Sequence, residues 1–258
     1  MTIPISACLI ARDEGELLGR CLEALGDMDE IVVVLDDRGG PETEAIARRY
    51  ATRVERRAYE GDISQKNHCV QLAGNDWIFV VDPDEEVSSS LAQSLRRAVE
   101  CAPENTDGFE VDRVTFHLGR WIRHGDFYPD WKLRVFRRSQ SRWVGRNPHG
   151  RVEVKGSVER IEGELRHFSY RDFGDQVDRI QFYSAEAANA LRAEGRSARI
   201  RDVVLRPPAR FLRAYFLKQG FRDGLPGFLI AAATAFHVLL KYAKLWELDH
   251  GSVREPEV

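Results

Sequence analysis

The first 110 residues alternate short apolar runs with amphipathic stretches, and this alternation narrows the fold more than any other feature of the chain. Ile3–Ala11 is an apolar run of strand length, and in Glu14–Leu25 the side chains of Leu17, Leu18, Cys21, Leu22 and Leu25 share one helical face. Ile31–Leu35 is the continuous, largely β-branched run expected of a strand buried on both faces. Pro41–Tyr50 carries Pro at a helix start, Thr52–Arg57 suits a short edge strand, and Ile63–Ala73 suits another helix. Trp77–Val81 reads as a third buried strand and Ser88–Cys101 as a helix entered through a serine cluster. Repeated βα units predict a parallel sheet with right-handed crossovers, whose ligands sit beyond the C-terminal strand ends.

From Gly108 the texture changes. Phe109–Phe116, Trp131–Arg138, Arg151–Val154 and Leu165–Phe168 read as further strands, and Gln176–Ala193 as a helix. Beyond Pro207-Pro208 come two aromatic, basic helical stretches, Ala209–Arg222 and Pro226–Leu248. The expected organisation is a main domain over 1–206, divided into halves 1–107 and 108–206, with a helical extension over 207–258. At 43% hydrophobic residues the chain can fill a core, which excludes disorder and small disulfide scaffolds. Cys8, Cys21, Cys69 and Cys101 form no CxxC pair and read as buried or free thiols in a reducing compartment. The N-terminal MTIPISACLIARDEG lacks a positive n-region and a cleavage site, so it is not read as a signal peptide. Leu225–Leu240 is interrupted by Pro226, Gly227, Thr234 and His237 and is too short for a membrane span on this reading. The expected location is cytoplasmic.

Charge is divided along the chain. Residues 1–112 carry a balance of −13 and residues 113–258 a balance of +10. A basic second half can face an anionic partner or dock on the acidic first half. The acidity of the first half gathers at the strand ends: Arg12-Asp13-Glu14, Asp36-Asp37 and Asp82-Pro83-Asp84-Glu85-Glu86. In an extended segment residues i and i+2 point the same way, so Asp82 and Asp84 are expected to converge on one ligand. Paired carboxylates suit Mg²⁺ or Mn²⁺, which take oxygen ligands and bridge to phosphates; the bland alternative is an acidic turn capping the next helix. Asp36 can accept a ribose hydroxyl or a base N–H, or form an Asx turn into Gly39-Gly40. Lys66, the only Lys before residue 132, can meet a diphosphate or a nearby carboxylate, or be a surface lysine.

Ile10-Ala11-Arg12-Asp13-Glu14, the strand ending at Asp36, Gln65-Lys66-Asn67, Asn75-Asp76-Trp77 and Asp82-Pro83-Asp84-Glu85-Glu86 together resemble family 2 glycosyltransferases of the GT-A fold. Leu118–Gly125, Tyr128-Pro129-Asp130, Arg134–Arg138, His167–Arg171 and Lys241–Glu247 look like the lipopolysaccharide-core β-1,4-glucosyltransferase group. The resemblance spans nearly the whole chain. It implies an α/β, Rossmann-like mixed sheet that binds a nucleotide-sugar, with helices on both faces and a C-terminal helical extension. It also implies an inverting transfer, most often from UDP-glucose, to a glycan or glycolipid acceptor such as lipopolysaccharide core, with Mg²⁺ or Mn²⁺ as cofactor. By position, Ala11, Arg12, Glu14, Asp36, Lys66, Asp82 and Asp84 would bind the nucleotide-sugar, Asp82 and Asp84 with His167 would hold the metal, and Asp130 would be the general base. An isolated His after a strand, as His167 is, is more often structural than a ligand. Trp121, Tyr128 and Trp131 could stack on sugar faces or pack in a core.

The chain departs from the group at two places. Asp37-Arg38-Gly39-Gly40-Pro41 stands where a Ser/Gly/Thr-rich turn is usual, and Gly150 follows His149 where Glu is frequent, which weakens a role for His149. A sugar-phosphate nucleotidyltransferase would need a Gly-rich basic loop after the first strand, where this chain has the acidic Ala11–Glu16. An inactive glycan- or membrane-binding module would have lost its acidic ligands or base, but Asp82, Asp84 and Asp130 are all present. No recognition motif supports a nucleic-acid partner. The C-terminal stretches mix Phe211, Leu212, Tyr215 and Phe216 with Arg210, Arg213, Lys218 and Arg222, which suits a helix lying at the inner face of a membrane. The alternative is a helix pair packed on the catalytic domain or across a homodimer interface.

Overall fold

The computed structural model describes residues 2–146 and 149–251. The side chain of His149, weighed above, lies outside the described residues. The chain divides into two compact units that interleave along the sequence: Met1–Arg113 with Asp130–His167, and Val114–Pro129 with Phe168–Val258.

The first unit opens with β1 (Ile5–Ala11), α1 (Gly15–Ala24), β2 (Glu30–Asp36), α2 (Pro41–Tyr50), β3 (Arg53–Arg57), α3 (Asp62–Leu72) and β4 (Trp77–Val80). After β5 (Glu85–Val87) and α4 (Ser89–Glu100), strand β6 (Thr106–His117) crosses into the second unit, where β7 (Arg120–Ile122) pairs with its end. β8 (Trp131–Arg137), β9 (Ser141–Arg146), β10 (His149–Val154) and β11 (Ser157–His167) follow. The sheet runs β3-β2-β1-β4-β8-β6-β11-β5, while β9 and β10 form a separate antiparallel ribbon. β1 to β4 are mutually parallel, and β8 enters antiparallel between β4 and β6. This is the expected α/β architecture with a mixed sheet.

Strand alternation sends side chains to two cores. Ala7, Leu9, Val33, Leu35 and Phe79 pack with Leu18 and Leu22 of α1 and Leu91, Leu95 and Val99 of α4. Cys8, Val32, Val34, Ile78 and Val80 pack with Cys69 and Val70 of α3 and with Trp143 and Val152 of the ribbon. Each fully buried aliphatic side chain contributes roughly 1.5–3 kcal/mol, so burial on both faces explains why the strand sequences are continuous rather than alternating. Ser88 caps α4, its Oγ accepting from Leu91 N at 3.2 Å. A Cβ on Gly163, at φ 104, would stand 2.5 Å from Leu91 N, so β11 passes the start of α4 at a distance only glycine allows. With β1 flanked by β2 on one side and β4 on the other, the winding direction reverses between β1 and β4. Ligands of open α/β sheets bind outside the strand ends at such a point.

The second unit contains α5 (Phe173–Ala193), α6 (Ile200–Val204), α7 (Arg206–Leu212) and α8 (Gly224–His250), with a π turn at Arg213–Leu217 and a 3₁₀ turn at Gly220–Asp223. The helix expected over Ala209–Arg222 is therefore broken: Gln219 adopts φ 57, and Pro207 and Pro208 sit inside the first turn of α7 rather than ahead of it. Ala188, Ala198, Tyr242 and Leu245 form its core, and Lys244 Nζ donates to Gln181 O at 2.7 Å and Ser184 Oγ at 2.8 Å, fastening α8 along α5. Gly220–His250 outruns the apolar stretch marked in the sequence and is, by length and composition, long enough to cross a membrane, with 28% of its most apolar window buried.

Candidate active site

At the C-terminal end of β1, Arg12 N donates to Glu14 Oε2 at 2.7 Å, which turns the chain into α1. Beside it, Asp36 at the end of β2 is 4% exposed and receives Arg38 on both oxygens, Nε at 2.9 Å and Nη2 at 2.5 Å. Arg38 N also donates to Asp36 Oδ1 at 3.0 Å, the Asx turn anticipated as one of the two alternatives. Arg38 holds the Asp36 carboxyl far below the usual carboxylate range against the opposing push of burial. Ala11, Arg12, Glu14, Asp36, Arg38 and Tyr59 line one cavity of about 290 Å³. Tyr59, desolvated and donating to Asp62 Oδ1 at 2.7 Å, has its phenol pushed up to about 12 and stays neutral. The Arg38 guanidinium lies 5.3 Å from its ring centre.

Arg38→Ala tests this lock. A depressed carboxyl contributes stability that is present above its unfolded pKa of about 4 and is lost as pH falls toward the folded value. The variant should therefore melt below the parent at pH 7, and the gap should shrink as pH drops below about 4. Thermal melts across that range decide it. A gap independent of pH would show that Arg38 acts through packing alone.

At the end of β4 the segment does not stay extended. Pro83 and Asp84 form a turn in which Glu85 N donates to Asp82 O at 2.9 Å. The two carboxylates consequently take different partners, a correction to the expected extended geometry. Lys66 Nζ from α3 donates to Asp82 Oδ1 at 2.8 Å, and Arg134 Nη2 from β8 donates to Asp82 Oδ2 at 2.6 Å. Of the readings weighed for Lys66, the structure gives the nearby carboxylate. Asp84 Oδ2 instead lies 3.3 Å from His167 Nε2 at the end of β11. Burial pushes both carboxyls up, yet Arg134 and Lys66 at Asp82, and His167 at Asp84, outweigh it and hold them below their ordinary range.

Behind Asp82 runs a chain of alternating charges. Arg134 Nη2 also donates to Glu85 Oε1 at 2.5 Å, and Arg113 Nη1 reaches the same oxygen at 3.2 Å. Arg113 Nε then donates to Asp130 Oδ2 at 2.8 Å, while Lys132 Nζ stands 2.8 Å from Asp130 Oδ1. Glu85 is 1% exposed and Arg134 4%, and their charges are tolerable at that depth because each meets an opposite one. The sequence names Glu85, Arg38 and Arg134 only as members of longer motifs with no binding role, and singles out neither Arg113 nor Tyr59. An Arg inside the apolar strand Trp131–Arg138 was the one signal that could have found part of this chain.

Among the described residues no three His, Cys, Asp or Glu side chains gather into a metal cage. Asp84 with His167 offers a carboxylate oxygen and an imidazole nitrogen 3.3 Å apart. That donor set fits a divalent cation that draws its remaining ligands from substrate phosphates and water, as Mg²⁺ commonly does. Of the aromatic candidates, Trp131 carries the Arg160 guanidinium 4.5 Å from its ring centre, and Trp121 packs edge-on against Phe116 and Phe168.

Residues 6–158, more than half of the chain, match the sequence profile of Glycosyl transferase family 2. The chain belongs to this family. The transferase is 28% identical over 264 residues to the lipopolysaccharide core biosynthesis glycosyltransferase LpsC of Rhizobium meliloti (strain 1021), covering 99% of this chain and 96% of LpsC. It is 25% identical to an uncharacterized glycosyltransferase of Rickettsia typhi, covering 95% of this chain and 87% of that one. Among solved structures, S. aureus TarS 1-349 aligns over 98% of this chain and 93% of its own, with a TM-score of 0.48 and 12% identity. Glucosyl-3-phosphoglycerate synthase from Mycobacterium tuberculosis, in complex with Mg²⁺ and uridine-diphosphate, aligns over 43% of this chain and 44% of its own, with a TM-score of 0.37 and 17% identity.

Proposed function

We propose that this transferase moves a hexose, glucose by the family resemblance, from a UDP-sugar to a glycan acceptor with inversion at the anomeric carbon. The acceptor class is lipopolysaccharide core or another cell-envelope glycolipid, in keeping with the near full-length similarity to LpsC. Residues 1–206 serve as the transferase portion and 207–258 as an extension that keeps the enzyme peripheral at the inner face of the cytoplasmic membrane. The observation that carries the reading is that Asp36 ends β2 and Asp82 and Asp84 follow β4, on either side of β1 at the reversal, with Asp130 joined to Asp82 through Arg113, Glu85 and Arg134.

Asp36, Ala11, Arg12 and Glu14 bound the nucleoside cavity. Lys66 and Asp82 face the ribose and diphosphate, and Asp84 with His167 would hold Mg²⁺ or Mn²⁺. The bound cation supplies electrostatic stabilisation of the departing diphosphate. In a single displacement the acceptor oxygen bonds to the anomeric carbon as the bond to the diphosphate breaks, and Asp130 takes the acceptor's hydroxyl proton. Burial pushes the Asp130 carboxyl up, but Arg113 and Lys132 outweigh it and keep it ionised through the neutral range, ready to accept.

UDP titrated by calorimetry into the protein in EDTA, and then in Mn²⁺, should bind tighter only with the metal, and Asp84→Ala should erase the difference. Equal affinity in all three samples would sink this reading, because clustered carboxylates attract a diphosphate poorly without a cation between the charges.

A further inference from the structure

The second unit turns a corner between α7 and α8. The π turn Arg213–Leu217, the left-handed Gln219 and the 3₁₀ turn Gly220–Asp223 together lead the chain from α7 into α8. The corner is held from inside. Arg210 Nε and Lys218 Nζ stand 2.9 Å and 3.1 Å from the Asp126 carboxylate, whose side chain is 3% exposed, and Gly125 N donates to Lys218 O at 2.9 Å. A Cβ at Gly227 would fall on the Gly220 carbonyl oxygen, so α8 leaves the corner in close contact with it.

Its outer side is apolar. Leu212, Phe216, Leu217, Phe221, Leu225 and Phe228 are between 43% and 80% exposed, with Leu217 the most exposed of them. These are not scattered single residues, because the Tyr215 ring contacts Phe216, Phe221 and Phe228 at centroid distances of 5.1, 6.3 and 5.7 Å. Interleaved with them are Arg210, Arg213, Lys218 and Arg222, of which Asp126 neutralises only one charge. A contiguous apolar patch among excess cations marks a binding surface.

We propose that this corner, rather than the length of α8, enters the headgroup region of an anionic phospholipid bilayer. Exposed Leu and Phe side chains of modest depth with cations among them match an interface that is apolar below and negative above. Past its first turns α8 turns Ile230, Ala231, Ala233, Tyr242 and Leu245 into the protein, and its exposed Phe236 and Leu239, at 39% and 36%, are less open than Leu212, Phe216, Leu217 and Phe221 of the corner. The inference rests on the peripheral location proposed above and deepens it by naming the residues that make the contact.

Flotation of the full chain with vesicles tests it without measuring transfer, so its failure leaves the transferase reading standing. The protein should float with phosphatidylglycerol-containing vesicles at low salt, stay behind with pure phosphatidylcholine, and release at about 0.5 M NaCl, where exposed charges are screened. Phe216→Glu with Leu217→Glu, and separately Arg222→Glu, should each cut the bound fraction about tenfold with an unchanged melting temperature. Phe236→Glu with Leu239→Glu, on exposed positions of α8, should leave flotation intact. The proposal is overturned if the parent does not float, if the corner variants float undiminished, or if the α8 pair alone abolishes binding. A dimer in sedimentation that the corner variants dissolve, without flotation by the parent, would assign the surface to a second copy of the chain instead.

Discussion

Exchanging Asp130 for Asn is expected to lower transfer by about two to four orders of magnitude, the usual contribution of a general base, while UDP binding stays near that of the parent. Asn can still accept the hydrogen bond that Arg113 Nε donates to Asp130 at 2.8 Å, so the local geometry survives and only the proton acceptor is lost. The parent's acid limb should lie low. With Arg113 and Lys132 overcoming the upward push of burial, Asp130 remains deprotonated below the ordinary carboxylate range, and turnover should hold until pH falls below about 4. Single-turnover rates of both proteins against pH check both statements. Near-parental turnover by Asp130→Asn would move the base elsewhere. Asp126, the nearest carboxylate in sequence, is a poor substitute on physical grounds: it is buried against Arg210 and Lys218 and serves the corner between α7 and α8.

Arg134→Met is expected to cost about 3–5 kcal/mol, the range for removing one partner of a buried ion pair. It leaves Glu85, 1% exposed, with the 3.2 Å contact to Arg113 as its charged partner beside the bond that Asp82 N donates at 3.0 Å, and takes from Asp82 one of the two cations on its carboxylate, keeping Lys66. In a chain of this size that corresponds to a melting temperature roughly 10 °C lower. Adding Glu85→Leu should recover part of the loss, since an apolar pair of similar volume avoids the stranded charge. Calorimetric melts of the parent, both single variants and the double variant decide the matter. A single variant that melts with the parent would mean that the alternating charges from Lys66 to Asp130 contribute no net stability.

What was legible from the residues follows from what is local. The strand–helix alternation through Cys101 agrees with the structure to within two residues at most boundaries, because strands buried on both faces have nowhere to place polar side chains. Pro41–Tyr50 is a helix at the stated ends, with Pro at its first turn. β5, β7 and α6 are absent from the reading, being three to five residues long and so too short to show a period. The same limit applies to chemistry. Asp36, Asp82 and Asp84 stand out because they end strands, whereas Glu85 looks like one more acid in an acidic turn. Its burial depends on Arg113 and Arg134, 28 and 49 residues away, and no local pattern announces such a meeting.

The interleaving of the two compact units has a consequence for synthesis. The segment Val114–Pro129 leaves the ribosome long before its partners in Phe168–Val258. Asp126, whose side chain is 3% exposed in the finished protein, must wait for Arg210 and Lys218, a delay of roughly ten seconds at ordinary elongation rates. During that interval the first unit can close around residues 130–167 while carrying an unfinished hairpin with an unmatched carboxylate. Shortening the chain at 206 would make that transient condition permanent, so the function of the last 52 residues is better probed by point exchanges on the surface than by truncation.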